Sequence, residues 1–234
     1  MKKTTKLIST LTAVCVLLLT SPIEAEDNIQ STDKLVYSSQ KNSSKKIALT
    51  FDDGPHPRHT EIILDILKEH NIRATFFVVG KNANLHSEIV KREILEGHEI
   101  GNHTYSHIDL QKSSPSTIEA DILKTEEILY EICEYRPKLL RPPGGKYGET
   151  ACLSAKKLDY RLALWTIDSK DWSKPTPEKI IEKILSTTKS GDILLFHDFI
   201  AGTSPTPAAI SKIIPTLKSQ GYKFVTVSEL ITST

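Results

Sequence analysis

The feature that most constrains the fold of this 234-residue chain is a regular alternation of short apolar runs with longer amphipathic segments. Residues 47–51 and 74–79 have the composition of buried strands, and residues 60–70 between them carry apolar side chains at helical spacing. The alternation continues through a helix expected over residues 117–134, with Ser116 as its cap, and a strand expected over residues 161–167. It ends at residues 224–227, which we interpret as a last strand. Strands that alternate with helices predict βα units and a parallel sheet. Seven or eight such strands suit a closed or nearly closed barrel.

The N-terminal region does not follow this pattern. Three lysines precede a mostly apolar run at residues 7–19, which predicts a secretory signal peptide over residues 1–25. An uncleaved anchor is the less favoured interpretation, because the run is shorter than the roughly 20 apolar residues of a spanning helix. The polar residues 26–45 predict a flexible leader, followed by a single domain over residues 46–232. We therefore expect a monomer that is secreted or cell-wall associated, with no membrane span after cleavage.

Charge and cysteine content narrow the partners and the compartment. The formal net charge of +1 provides no basic field, so we expect no nucleic-acid partner. Cys133 and Cys152 remain after cleavage of the signal peptide, and their spacing fits no metal motif. Export permits a disulfide, so a bridge and two free thiols both stay open.

Polar residues that could catalyse a reaction or bind a metal follow the predicted strands at five separate places. They are Asp52 and Asp53, His103, Arg141, Asp168 and Asp171, and His197. In a parallel barrel the carboxyl ends of the strands gather at one face, where active sites lie. The sequence therefore predicts one polar site built from these strand ends.

A pair of histidines four residues apart indicates a metal site. If residues 103–107 form a helical turn, the imidazoles of His103 and His107 lie on one face. Two surface histidines would show the same spacing. Asp53 adds an oxygen ligand at the same barrel face, and Asp plus two His with an open position suits a hydrolytic zinc ion.

The adjacent carboxylates Asp52 and Asp53 have two interpretations. The run Asp-Asp-Gly-Pro is typical of a plain turn. In a metal site, the two side chains would diverge, so that one binds the metal and the other takes a proton from water. A bound metal lowers the pKa of water from about 15.7 to near 7, which makes a carboxylate an adequate base.

Three further strand-end features complete the predicted site. Arg141 carries a planar fork that holds a carboxylate in one orientation, although an ordinary salt bridge has the same geometry. The turn after it, which contains Gly144, exposes a backbone N–H suited to a developing oxyanion. His197 beside Asp171 suits a general acid for an amine leaving group, and a structural histidine is the alternative.

These blocks, in this order, resemble the polysaccharide deacetylases of carbohydrate esterase family 4, the NodB-homology domain. The resemblance covers about residues 45–230. The matching runs are Thr50-Phe51-Asp52-Asp53-Gly54-Pro55, His103-Thr104-Tyr105-Ser106-His107, Arg141-Pro142-Pro143-Gly144, Asp168-Ser169-Lys170-Asp171-Trp172 and Leu195-Phe196-His197.

The resemblance implies an α/β fold, a distorted (β/α)7 barrel with parallel strands, and a role for each matched residue. Asp52 is implied as the general base, oriented by Arg141, and His197 as the general acid, with Asp171 as its charge partner. The implied metal ligands are Asp53, His103 and His107. The implied substrate contacts are Trp172 and Leu195 around the acetyl methyl, and the backbone N–H of Gly144 at the oxyanion. Many members of the family carry an aromatic residue at the position of Gly144, so we expect a more open groove here.

We therefore expect a metal-dependent hydrolase that removes N-acetyl groups from an amino-sugar polymer, with peptidoglycan (GlcNAc or MurNAc) favoured as the acetylated glycan. The expected cofactor is one divalent metal ion, Zn²⁺ before Co²⁺ or another ion. The alternatives are an O-acetyl polysaccharide esterase, a chitin-oligosaccharide deacetylase and a glycan-binding protein without turnover.

Overall fold

Strands and helices alternate along most of the described chain, as the sequence predicts. The computed structural model describes residues 35–41 and 44–232. The strands in these residues are β1 Val36–Tyr37, β2 Lys46–Asp52, β3 Thr75–Val78, β4 Glu99–Asn102, β5 Leu139–Leu140, β6 Arg161–Ala163, β7 Ile167–Asp168, β8 Ile193–His197 and β9 Lys223–Val225. The helices are α1 His59–Glu69, α2 Gly80–Leu85, α3 Ser87–Leu95, α4 Pro115–Cys133, α5 Glu149–Lys157, α6 Pro177–Thr187, α7 Thr206–Ser219 and α8 Val227–Ile231. The signal peptide expected over residues 1–25 lies outside the described residues.

All the named strands pair in parallel, in the order β1-β6-β5-β4-β3-β2-β8-β7, with β9 also paired to β2. Parallel pairing requires crossover connections, and the helices provide them. Consecutive strands β6 and β7 lie at opposite parts of this order, so residues 164–166 cross from one to the other. Hydrogen bonds from Leu164 N to Tyr37 O and from Thr166 N to Ile193 O hold this crossing. The sheet is thus curled, which confirms the distorted (β/α)7 barrel.

Strand β2 shows how the fold directs side chains into the site. Residues alternate between the two faces of a strand. Ile47, Leu49 and Phe51 pack in the cluster that faces the surrounding helices, whereas Ala48 packs in the interior cluster with residues of α8. By the same alternation, Thr50 and Asp52 point into the barrel. Because Ile47, Leu49 and Phe51 face the helices, Asp52 points into the mouth of the barrel.

Four local expectations were wrong. Within the expected leader 26–45, Val36–Tyr37 pairs with β6, and Tyr37 is buried in the interior cluster. The expected strand 161–167 is broken, because residues 164–166 make the crossing. The expected last strand 224–227 ends at Val225, because Thr226 forms a capping box for α8. The expected helical turn at residues 103–107 is an irregular loop.

The described residues include both mature cysteines and can be searched for a membrane-spanning helix, whereas the apolar run at residues 7–19 lies outside them. Cys133 and Cys152 are both free and partly buried, so the free-thiol alternative holds in this structure. Among the described residues, no helix combines the length and the apolar character that crossing a bilayer requires.

Candidate active site

The polar residues predicted at the strand ends gather at one mouth of the barrel. Asp52 ends β2 and His197 ends β8, at paired positions of neighbouring strands. His103 follows β4, and Arg141 follows β5. The structure thus brings together groups that lie as much as 145 residues apart in the chain.

Asp53, His103 and His107 converge on one point. Their candidate ligand atoms all lie within 4.8 Å of one another. Asp53 Oδ1 is 3.4 Å from His103 Nε2 and 3.2 Å from His107 Nε2, yet it has no hydrogen-bond partner of acceptable geometry in the described part of the chain. Such an orphaned buried oxygen beside two ring nitrogens is the arrangement that a divalent cation fits.

The tautomer of His103 supports the same interpretation. Its Nδ1 lies 2.7 Å from the carbonyl oxygen of Arg141, which can only accept, so the ring proton belongs on Nδ1. Nε2 of a neutral ring then presents a lone pair toward Asp53. Burial by itself would raise the pKa of Asp53, but the proximity of His103 and His107 holds this pKa well below its usual range. Asp53 is therefore anionic at neutral pH.

The two histidines meet through a loop with left-handed backbone positions, and not through a helix. Thr104 and His107 have φ angles of 64° and 56°. Asn102 Oδ1 accepts a hydrogen bond from Thr104 N at 2.8 Å, and Gly80 N at the start of α2 donates to Thr104 O at 2.9 Å. These side-chain and helix-end contacts stabilise a conformation that L-residues seldom adopt.

Asp52 is held on one side by a buried guanidinium. Arg141 Nη1 donates to Asp52 Oδ1 at 2.7 Å and to Thr50 Oγ1 at 2.7 Å. Its other N–H groups donate to Ala163 O at 2.9 Å and to Leu164 O at 3.0 Å. Asp52 Oδ2 is left 3.9 Å from His103 Nε2. The fork thus fixes one carboxylate oxygen and leaves the other facing the Asp53 cluster.

His197 and Asp171 form a second ion pair at the mouth. Asp171 Oδ1 lies 2.8 Å from His197 Nδ1, and Asp171 Oδ2 accepts from His197 N at 2.8 Å and from Thr206 Oγ1 at 2.6 Å. Burial disfavours the charged ring, but the hydrogen bond and charge of Asp171, with the charges of Asp52 and Asp53, raise the pKa of His197 to about 9. The ring is therefore a cation at neutral pH in the metal-free protein.

The three predicted substrate contacts lie around this pair and the turn after β5. Gly144 is exposed with a φ of 62°, and a Cβ there would meet nothing within 4 Å. Trp172 directly follows Asp171 and is 56% exposed, whereas Leu195 is buried on the same strand as His197. A side chain at Gly144 would thus begin in open space, and the expected open groove stays a prediction.

A small cavity of about 190 Å³ adjoins the Asp53 cluster. Its walls are Val79, Asn82 and Phe199, and Asp53 and His107 form the remainder. It is smaller than the pockets of roughly 300–1,000 Å³ that hold whole drug-sized ligands, so it suits one small group of a larger substrate.

Sequence reasoning missed several residues that support this site, among them Thr206 and Asn102. Thr206 donates to Asp171, and Asn102 shapes the loop of His103. Thr206 begins a helix, where threonine is common for local reasons, so it carries no distinguishing signal. Asn102 directly precedes His103 at a strand end, and that position is the one signal that points to it.

Comparisons with known proteins identify the family that this chain resembles. The family model described as polysaccharide deacetylase matches residues 39–163. A peptidoglycan-N-acetylglucosamine deacetylase of Bacillus cereus is 44% identical over 192 residues, which cover 81% of this chain and 90% of that protein.

Solved structures show the same fold. The crystal structure of a peptidoglycan N-acetylglucosamine deacetylase, in complex with an N-oxidanyl-benzamide compound, superposes with a TM-score of 0.82 at 38% identity, covering 86% of this chain and 94% of that one. A family 4 acetyl xylan esterase of Clostridium thermocellum with a cobalt ion has a TM-score of 0.73 at 37% identity, covering 80% and 91%.

Proposed function

This chain belongs to the polysaccharide deacetylase family, and from that premise we propose that it hydrolyses the N-acetyl groups of peptidoglycan amino sugars and releases acetate. The observation that carries the proposal is the Asp53, His103 and His107 cluster beside an Asp52 that Arg141 holds. The similarity to peptidoglycan deacetylases favours this polymer, with GlcNAc as the sugar.

The proposed cofactor is one zinc ion, held by Asp53, His103 and His107. Two imidazoles and one carboxylate are a ligand set that zinc prefers in hydrolytic sites, and cobalt accepts the same set. Bound there, a divalent ion supplies Lewis acidity for the acetyl carbonyl and for water.

Asp52 is the proposed general base. Arg141 binds its Oδ1, so Oδ2, which faces the Asp53 cluster, is the oxygen that takes the proton from the attacking water. A carboxylate within reach of the water and fixed in orientation loses no freedom as it accepts the proton.

His197 is the proposed general acid. Asp171 binds Nδ1, which leaves Nε2 to donate a proton to the sugar amine as the C–N bond breaks. The raised pKa of about 9 keeps that proton on the ring at neutral pH. Around the reacting acetamide, we assign the oxyanion contact to the N–H of Gly144 and the methyl pocket to Trp172 and Leu195.

We further propose that residues 1–25 direct export, that the catalytic domain acts as a monomer, and that its place of action is the cell wall or the medium. The basic start and apolar run of the sequence support export. The nature of the proposed substrate agrees with it, since peptidoglycan lies outside the membrane.

The proposal is tested by measuring acetate release from peptidoglycan, chitin oligomers and acetylated xylan, with and without a chelator. We expect chelator-sensitive release that is greatest on peptidoglycan. Asp52→Asn should lower turnover by about 10²-fold or more, because general acid–base catalysis contributes that much, while the variant retains stoichiometric zinc. The His107→Ala variant should lose zinc, and its activity should be lost as a result.

Two outcomes would contradict these assignments. Near-normal turnover by the Asp52→Asn variant would exclude Asp52 as the base, and stoichiometric zinc in the His107→Ala variant would exclude His107 as a ligand. If zinc is bound but no acetate is released from any glycan, the remaining interpretation is a glycan-binding protein without turnover.

The second candidate function is an O-acetyl esterase. The similarity to an acetyl xylan esterase favours it, since that fold and this one superpose over 80% of this chain. An alkoxide leaves more readily than an amine, so the same residues would serve. Faster release from acetylated xylan than from peptidoglycan in the same assay would favour the esterase.

A further inference from the structure

Asp198 is a buried carboxyl group for which the proposed reaction has no role. It directly follows His197, it is 1% exposed, and its backbone N–H donates to Asp52 O at 3.2 Å. Its Oδ1 has no hydrogen-bond partner in the described part of the chain. Burying a carboxyl group costs free energy, so its contacts should indicate which function keeps it there.

The first contact is with Gly54, the residue after Asp53. A Cβ on Gly54 would lie 2.0 Å from Asp198 Oδ2 and 2.4 Å from Oδ1 and from the carboxyl carbon. The carboxyl group therefore rests against the Cα of Gly54, and no larger residue fits between them. This contact limits how far the backbone at Asp53 can move toward β8.

The second contact continues along the same loop. Thr60 Oγ1 donates to Asp198 Oδ2 at 2.6 Å, and His56 N donates to Thr60 Oγ1 at 2.8 Å. Asp198 thus binds the first turn of α1 and, through it, the middle of the 54–60 segment. Both ends of the segment that follows Asp53 depend on this one carboxyl group.

The opposite side of the loop is fixed by other elements. Asn82 Nδ2 donates to Asp53 O at 2.8 Å, and Val79 N donates to Gly54 O at 3.0 Å. Asp53 itself has a φ of 76°, which a non-glycine residue seldom adopts unless its surroundings hold it. With Asp198 on one side and Asn82 and Val79 on the other, the backbone of Asp53 is clamped.

We propose that Asp198 is a positioning residue for the metal centre, which sets the place of the Asp53 carboxylate through its contact with Gly54 and its hydrogen bond from Thr60. The inference rests on the metal-ligand role of Asp53 in the proposed function. Outer-shell residues that orient a ligand typically change metal affinity by about 10–100-fold when they are lost.

The experiment compares Asp198→Ala with Asp198→Asn. Zinc affinity is measured by chelator competition, and the cobalt-loaded proteins are compared by their visible absorption spectra. We expect Asp198→Ala to bind zinc about 10-fold or more weakly and to show an altered cobalt spectrum. Asp198→Asn keeps the shape against Gly54 and an oxygen for Thr60, so it should restore most of the affinity and the wild-type spectrum.

Glu99 offers the matched control. Its Oε2 accepts from Thr75 Oγ1 at 2.8 Å, as Asp198 Oδ2 accepts from Thr60 Oγ1. It begins β4, at the end of the strand away from the site. Glu99→Ala should therefore lower thermal stability while leaving zinc affinity and the cobalt spectrum unchanged.

Three outcomes would overturn the proposal: unchanged zinc affinity in Asp198→Ala, an Asp198→Asn variant that binds zinc as weakly as Asp198→Ala, or an equal loss of affinity in Glu99→Ala. None of these measurements uses a glycan. A failure of the proposed deacetylation with intact zinc binding is therefore distinguishable from a failure of this inference. If Asp198→Ala does not fold, Thr60→Val, which removes the hydroxyl that donates to Asp198 and accepts from His56 N, carries the same test.

Discussion

At the residue scale, Asp171 uses both carboxylate oxygens to hold one histidine. Oδ1 binds the ring of His197 and Oδ2 binds its backbone N–H, while Thr206 donates to Oδ2 from the start of α7. Because the group is fully buried, these bonds replace the water that the charge has lost. The result is a cationic ring whose orientation does not depend on substrate.

This pairing predicts a pH dependence for the metal-free protein. The pKa of His197 is about 9 when folded and about 6.5 in an unfolded chain. Its contribution to stability is therefore fully present below about pH 6.5 and is lost as the pH rises through about 9. Removing the charge in Asp171→Asn should lower the pKa, because the main group that raises it is gone. Histidine NMR titration measures the change.

The matched control is Asp168→Asn. Asp168 precedes Asp171 by three residues, and its Oδ1 accepts from Lys170 N at 2.7 Å. That substitution should leave the His197 titration where it was. An unchanged titration in Asp171→Asn would contradict the assigned cause of the shift.

At the scale of elements, the start of α4 shows how a cap is chosen among neighbouring serines. The sequence favours Ser116 before a helix from Thr117, but the helix begins at Pro115 and Ser114 is its cap. Ser114 Oγ accepts from Thr117 N at 3.2 Å. Proline at the first helical position needs no N–H partner, so the helix can begin two residues earlier than the apolar pattern indicates.

The cap predicts a difference between two similar substitutions. Ser114→Ala should lower the free energy of unfolding by about 1 kcal/mol, because one N–H of the first turn loses its acceptor. Ser116→Ala, which removes only a hydroxyl contact with Ser114, should cost less than half of that. Urea denaturation of both variants measures the difference, and equal losses would contradict the cap assignment.

The sequence predicts elements whose determinants are local and misses those set by distant contacts. Strand β2 is found because both of its faces are buried, which produces a run at residues 47–51 that is apolar except for Thr50. The 103–107 loop is not found, because Asn102 and the start of α2 stabilise its left-handed positions. Val36–Tyr37 is missed because its pairing with β6 spans more than a hundred residues.

At the scale of the whole molecule, the topology explains why the composition of the site was predictable but its contacts were not. Parallel strands carry their carboxyl ends to one mouth, so polar residues that follow strands meet there. Which atoms pair depends on register and on the curl of the sheet. Asp52 and Asp53 illustrate this, since adjacent residues come to face Arg141 and the two histidines respectively.

Metal binding should stabilise the whole fold, because its proposed ligands come from the loop after β2 and from the loop after β4, which an unfolded chain does not hold together. At free zinc about 100 times the dissociation constant, the gain is about 2.7 kcal/mol. For a chain of this size the melting temperature should rise by roughly 5–10 °C. Differential scanning calorimetry with zinc and with chelator measures the shift.

The His107→Ala variant is the control for that measurement. The His107 side chain is 47% exposed, so its loss should leave the metal-free fold intact. Its melting temperature should not respond to zinc. An equal response in the variant would show that the stabilising ions bind elsewhere.

The buried Arg141 limits which substitutions can abolish activity while the protein stays folded. Its guanidinium binds the carbonyls of Ala163 and Leu164, where the chain leaves β6 to cross toward β7, as well as the carboxylate of Asp52. Removing it leaves the buried carboxylate of Asp52 without its ion-pair partner, which lowers the free energy of unfolding by about 3–5 kcal/mol. Random mutagenesis would therefore recover Arg141 substitutions among degraded or insoluble products. Substitutions of Asp52 should instead yield a stable, inactive protein. Such a protein is suited to crystallising a complex with an intact acetylated glycan.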